Sequence, residues 1–230
     1  MSTNIAESSL LFLKKLTKNN NRDWFNENKP LYKEEYEKVI SFADSVLEEL
    51  KKHDKIETVS GKKSLHRIYR DVRFSKNKAP YKNNWSGSFK RATNLRRGGL
   101  YFHIEPGNSF AAGGFWGPNK EDLLRLRKGM ESEEVKFRKI LGSKQFRKVF
   151  GELLGDQLKT APKGFDKDSP AIDLLRYKQY IVKHDFTDEE VKEVGFHKKI
   201  TDIFVAMYPL LDLMSDILTT DENGVPLFEA

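Results

Sequence analysis

Apolar residues recur at helical spacing near both ends of the chain and at strand spacing in its middle. Leu10, Leu13 and Leu16 predict a short helix over residues 9–16, broken by Asn19-Asn20-Asn21. Residues 22–28 (RDWFNEN) read as a helical turn with Trp24 and Phe25 turned inward. Pro30 suits the first turn of a long helix. Along that helix Tyr32, Tyr36, Val39, Ala43, Val46, Leu47 and Leu50 form one stripe, opposite lysines and glutamates, to an expected end near His53. After Ser60-Gly61 the period becomes two. Residues 66–74 (HRIYRDVRF) read as a strand, with Ile68, Arg70, Val72 and Phe74 on one face and Arg67, Tyr69, Asp71 and Arg73 on the other. Strands are also expected at 85–91, 100–105 and 110–116, the last two joined by the turn Pro106-Gly107-Asn108. Helices follow at 120–128 (capped by Asn119), 132–141, 143–151 and 171–175, then a short strand at 178–182. A final helix at 196–218 carries Phe196, Ile200, Phe204, Met207, Leu211 and Met214, with Pro209 expected to kink it.

This order predicts an α+β fold. A mostly antiparallel sheet with strands near 66–74, 85–91, 100–105 and 110–116 is covered by helices on one face. The absence of linkers and repeats predicts a single domain over 1–230, fraying at about 1–7 and 220–230.

Charge sharpens the picture. The net charge is +7, but residues 61–100 hold twelve Lys/Arg against one acid, Asp71, so this stretch carries +11 and the remainder −4. Such a field attracts phosphates or carboxylates. The chain has no cysteine, which excludes disulfides, thiolate metal sites and cysteine nucleophiles and suits a cytoplasmic setting. The N-terminus does not read as a signal peptide, and no apolar run approaches the ~18 residues of a membrane span. Phosphate-binding glycine loops, dinucleotide fingerprints and the nucleophile elbow are missing. The five histidines, His53, His66, His103, His184 and His197, show no metal-ligand spacing, and no cofactor or metal is expected.

Chemistry is concentrated in residues 67–82, RIYRDVRFSKNKAPYK. On a strand, Arg67 and Arg73 would share a face with Asp71 between them, an arrangement that holds guanidinium groups in fixed orientation for a planar anion. Lys76, Lys78 and Lys82 add point charges, and Tyr81 a hydroxyl donor. Arg70, on the apolar face, is expected to find a carboxylate partner in the core or else to join the ligand contacts. In 100–105, Tyr101, His103 and Glu105 share a face, so His103 and Glu105, with Asp71, are the candidates for acid–base work; the alternative is a structural hydrogen bond. Asp166 and Asp168 are candidate partners for the motif arginines, or else turn residues.

The pattern resembles the mostly bacterial domain-of-unknown-function family numbered 2461, marked by Arg-x-x-Arg-Asp-x-Arg-Phe followed by Lys and Tyr. Here it stands as Arg67, Arg70, Asp71, Arg73, Phe74, Lys78 and Tyr81. The resemblance extends to NNRDWF (20–25), YFHIEP (101–106), GGFW (113–116) and PKGFDKDSPAIDLLRYK (162–178). It implies one full-length domain and no particular reaction. Three readings stand on the residues. The first is a module binding an anionic small molecule or nucleic acid. The second is an enzyme on a phosphorylated or carboxylated small molecule. The third is a structural or protein-interaction domain whose arginines pair internally. No membrane partner is expected, and oligomeric state is not readable from the sequence.

Overall fold

The computed structural model describes residues 2–92, 96–221 and 224–227. Helices α1 (Glu7–Lys18), α2 (Arg22–Glu27) and α3 (Lys29–Leu50) come first, then the single turn α4 (Gly61–Ser64). Strands β1 (Trp85–Lys90), β2 (Gly99–Ile104) and β3 (Ser109–Phe115) follow. Helices α5 (Lys120–Ser132), α6 (Glu134–Leu141), α7 (Lys144–Phe150) and α8 (Ile172–Leu175) lead to β4 (Tyr180–Phe186), and α9 (Asp188–Lys192) and α10 (Phe196–Thr219) come last. The strands form one antiparallel sheet in the order β1-β2-β3-β4, so the fold is α+β as the pattern predicts.

One expected strand is replaced. Residues 66–74 form no strand, and the fourth member of the sheet is β4, which overlaps the short strand expected at 178–182. Among the described residues the stretch 65–74 makes only isolated pairings, Leu65 with Gly87 and Tyr69 with Tyr81. Around the second, Lys82 N–H donates to the Ile68 carbonyl at 2.7 Å and Arg70 N–H to the Pro80 carbonyl at 2.9 Å. The return bond from residue 80 cannot form, because proline has no N–H, and the ladder stops there.

The chain divides into two compact units, one of Met1–Phe89, Tyr101–Ala111 and Asp185–Asp202, the other of Lys90–Leu100, Ala112–His184 and Ile203–Ala230. In the first, the α3 stripe buries Val39, Phe42, Val46 and Leu50. The Phe42 ring meets Phe102 of β2 edge-on at 6.1 Å and stacks on Phe196 at 5.6 Å. A carboxylate, Glu35, is buried in the same unit. It accepts hydrogen bonds from Ser8 (2.9 Å), Ser9 (2.7 Å) and Lys38 (2.8 Å). Burial pushes that carboxyl up, but these bonds and the Lys38 charge outweigh it and hold it below its ordinary value. The start of the chain is tied in by Ile5, 1% exposed, whose N–H bonds the Val191 carbonyl. Residues 1, 222–223 and 228–230, which fall in the stretches expected to fray, lie outside the described residues.

The second unit is stitched by arginines. Arg97 pairs with Asp122 through two bonds, 2.9 and 2.6 Å. Arg91, 2% exposed, pairs with Asp212 at 2.5 Å and lies over the Tyr208 ring. Arg138 clamps Asp173 at 2.6 and 2.7 Å and takes Glu134 at 2.8 Å. Among the described residues no helix is long and apolar enough to cross a membrane.

Candidate functional site

Alternation along β1 and β2 turns Trp85, Gly87, Phe89, Leu100, Phe102 and Ile104 into the core. It leaves Ser88, Tyr101 and His103 half-buried on the opposite face, with Glu105 just past the end of β2. Three of these side chains are joined in line. The Tyr101 hydroxyl lies 3.0 Å from His103 Nδ1, and His103 Nε2 lies 3.0 Å from Glu105 Oε2. A carboxylate only accepts, so Nε2 carries the proton and Nδ1 is left to accept from the phenol. Glu105 is itself held by Asn83, which donates to Oε1 in a short bond, and by Asn108, which donates to Oε2 at 2.9 Å. Phe110 stacks flat on the imidazole, 4.7 Å between centres at 11°. Burial pushes the Tyr101 phenol up, and Ser86 acts the other way.

The basic segment runs beside this face. Asn20 clasps it, its amide bonding both the carbonyl (3.0 Å) and the N–H (3.1 Å) of Tyr81. The Tyr81 ring stacks on Phe25 at 3.9 Å, so NNRDWF is the bed on which the segment lies. The His66 ring sits 5.8 Å from that of Tyr101, and its Nε2 is 3.1 Å from the Ser88 hydroxyl. Burial, and then the Lys82 charge, push His66 down. Burial, and then Arg67, push Lys82 down. Lys82 thus acts on His66 and feels Arg67, and among the described residues none of the three has a carboxylate of the basic segment at ion-pair distance.

The remaining expected residues lie as follows. Asp71 pairs with Arg73 alone, Oδ2 to Nη2 at 2.6 Å and Oδ1 to Nε at 3.0 Å, both side chains open to solvent. Arg73 thereby holds the Asp71 carboxyl below the usual range. Because the segment is not a strand, Asp71 does not sit between Arg67 and Arg73 as the alternation predicts. Nor does an apolar face form, since Ile68 is 4% exposed but Phe74 is 96% exposed. Arg70 finds no core carboxylate; its Nη1 donates to the Ala79 carbonyl at 3.1 Å. Lys78 Nζ donates to the Val72 carbonyl at 3.0 Å and closes the loop on itself, while Lys76 is exposed. Tyr81 is 5% exposed and belongs to the core. Asp166 serves its own turn, accepting the Asp168 N–H at 2.9 Å. Of the acid–base candidates, then, the fold joins His103 to Glu105 and keeps Asp71 with Arg73. His66, Asn83 and Asn20 were not singled out in the sequence, because each acts through a partner distant along the chain, and Asn108 was read only as a turn residue.

The second unit has a cleft of about 800 Å³. Its described lining sets Arg125, Lys128 and Lys136 against Glu133, Asp216 and Asp221, a balanced set, and includes none of the residues above. Among the described residues no three His, Asp or Glu side chains gather as a metal site requires.

Fold and face together define an α+β protein with a polar, half-buried line of hydrogen-bonded side chains on its sheet and an adjoining basic segment. The chain belongs to the family of conserved hypothetical proteins DUF2461, whose model matches residues 8–213. Comparison with curated proteins gave no significant match, and comparison with solved structures gave none.

Proposed function

We propose that this protein binds a phosphate-bearing anion beside β1 and β2, through Arg67 and Lys82 with His66 as a third donor. The observation that carries this reading is a contrast within one charged stretch. Arg73, Arg91, Arg96 and Arg97 each have a carboxylate, from Asp71, Asp212 or Asp122. Arg67 and Lys82 have none among the described residues, although Lys82 is half-buried beside like charge. A partly dehydrated ammonium beside an exposed guanidinium is unfavourable unless an anion joins them. A phosphate offers several acceptor oxygens to a planar guanidinium and an ammonium at once.

The test is calorimetric titration with pyrophosphate at low salt. Wild-type protein is expected to bind, and Arg67→Ala and Lys82→Ala are each expected to weaken binding by about 10- to 100-fold, the size of a charge-assisted hydrogen bond. Lys76→Ala, in the exposed loop, is expected to change affinity by less than about threefold, as for a screened surface charge. Binding that ignores Arg67 and Lys82, or no binding at all, would overturn the reading.

A further inference from the structure

We propose that Tyr101, His103 and Glu105 form a proton relay whose working end is the Tyr101 phenol, and that it serves acid–base chemistry on the anion bound beside it. The three groups are spaced as such a relay requires, with about 3 Å at each junction. The carboxylate fixes the imidazole tautomer, and the imidazole presents a lone pair to a hydroxyl. Two members are oriented from outside the line: Glu105 by Asn83 and Asn108, and His103 by Phe110. A structural hydrogen bond between His103 and Glu105 would not need two amides on the carboxylate, nor a phenol at the far nitrogen.

In the step, a hydroxyl or water O–H of the substrate gives its proton to the Tyr101 oxygen while Tyr101 gives its own proton to His103 Nδ1. The imidazolium formed is neutralised by Glu105, and the substrate oxygen is left as the nucleophile. Reversal returns the proton. The substrate class, a phosphate-bearing compound with an ionisable hydroxyl or a bound water, rests on the anion-binding reading above. The activation of Tyr101 does not.

A neutral arylsulfonyl fluoride tests it, because no anion site is needed. The tyrosine O–S bond forms, the S–F bond breaks with loss of fluoride, and the phenolic proton passes to His103. Although burial pushes the Tyr101 phenol up, His103 takes its proton as the O–S bond forms, and peptide mapping is expected to show Tyr101 modified at least about tenfold faster than Tyr69, which is 59% exposed and has no histidine at its hydroxyl. His103→Gln is expected to remove that excess and Glu105→Gln to reduce it several-fold, with thermal melts checking the fold. The ¹⁵N spectrum of the wild-type imidazole is expected to show the Nε2–H tautomer, a readout that survives if a variant fails to fold. Tyr101 reacting no faster than Tyr69, a rate indifferent to His103→Gln, or the Nδ1–H tautomer would each overturn the relay. Labelling holds even if pyrophosphate does not bind, so the two readings fail separately.

Discussion

At the scale of single residues, the informative features are side chains whose partners are unusual for their type. His66 is pushed down by burial and by Lys82, with Arg67, Tyr101 and Ser88 as its other polar neighbours. An anion set among them reverses the effect and raises its proton affinity. The sign follows directly. A group raised on binding takes up a proton, so affinity grows as pH falls through the bound-state value and levels off below the free-state value, which lies under the ordinary 6.5. Calorimetry of pyrophosphate binding near pH 6.5, in buffers of differing ionisation enthalpy, is expected to show more proton uptake by the wild type than by His66→Gln, in which only the pyrophosphate's own proton exchange remains. Uptake unchanged by that substitution would remove His66 from the site.

At the scale of elements, the longer helices and all four strands, β4 among them as a strand at 178–182, were legible because their evidence is local, and the single turn α4 was not. The α3 stripe, the Asn119 cap and the Pro106-Gly107-Asn108 turn each depend on residues within a few positions of one another. The strand read at 66–74 was not real, because alternation describes side chains and not hydrogen-bond partners. The facing segment contains Pro80, so only the bridge at Tyr69 and Tyr81 survives. β4, by contrast, joins the sheet beside β3 after four intervening helices, a pairing no local pattern announces. Its closeness is visible at Gly114, φ 133°, where an added Cβ would lie 2.0 Å from the Tyr180 carbonyl oxygen. Gly114→Ala is expected to destabilise the protein by at least about 3 kcal/mol in urea unfolding, from backbone strain and a clash that only separation of the strands relieves. A loss below about 1 kcal/mol would show that the two strands part easily. The candidate site divides the same way. Tyr101, His103 and Glu105 were legible as one sheet face, but their connection into a line and the amides holding it depend on Asn83 and Asn108 outside β2.

At the scale of the molecule, the +11 stretch resolves into neutralised and unneutralised parts. Arg91, Arg96 and Arg97 are spent on Asp212 and Asp122, and so contribute to folding more than to the field. Among the described residues Lys62, Lys63, Arg67, Arg70, Lys76, Lys78 and Lys82 remain without a carboxylate, all within residues 62–82 of a chain whose residues outside 61–100 carry a net −4. A negatively charged ligand is therefore drawn to one region, and more weakly as salt screens it. The most direct test is an amide-resolved NMR titration with pyrophosphate at low salt. Shifts are expected to centre on residues 66–67, 81–83, 86–88 and 101–105 and to spare residues 74–78. Shifts centred on the 74–78 loop, or on the second unit's cleft with residues 66–67 and 82 unmoved, would contradict the account.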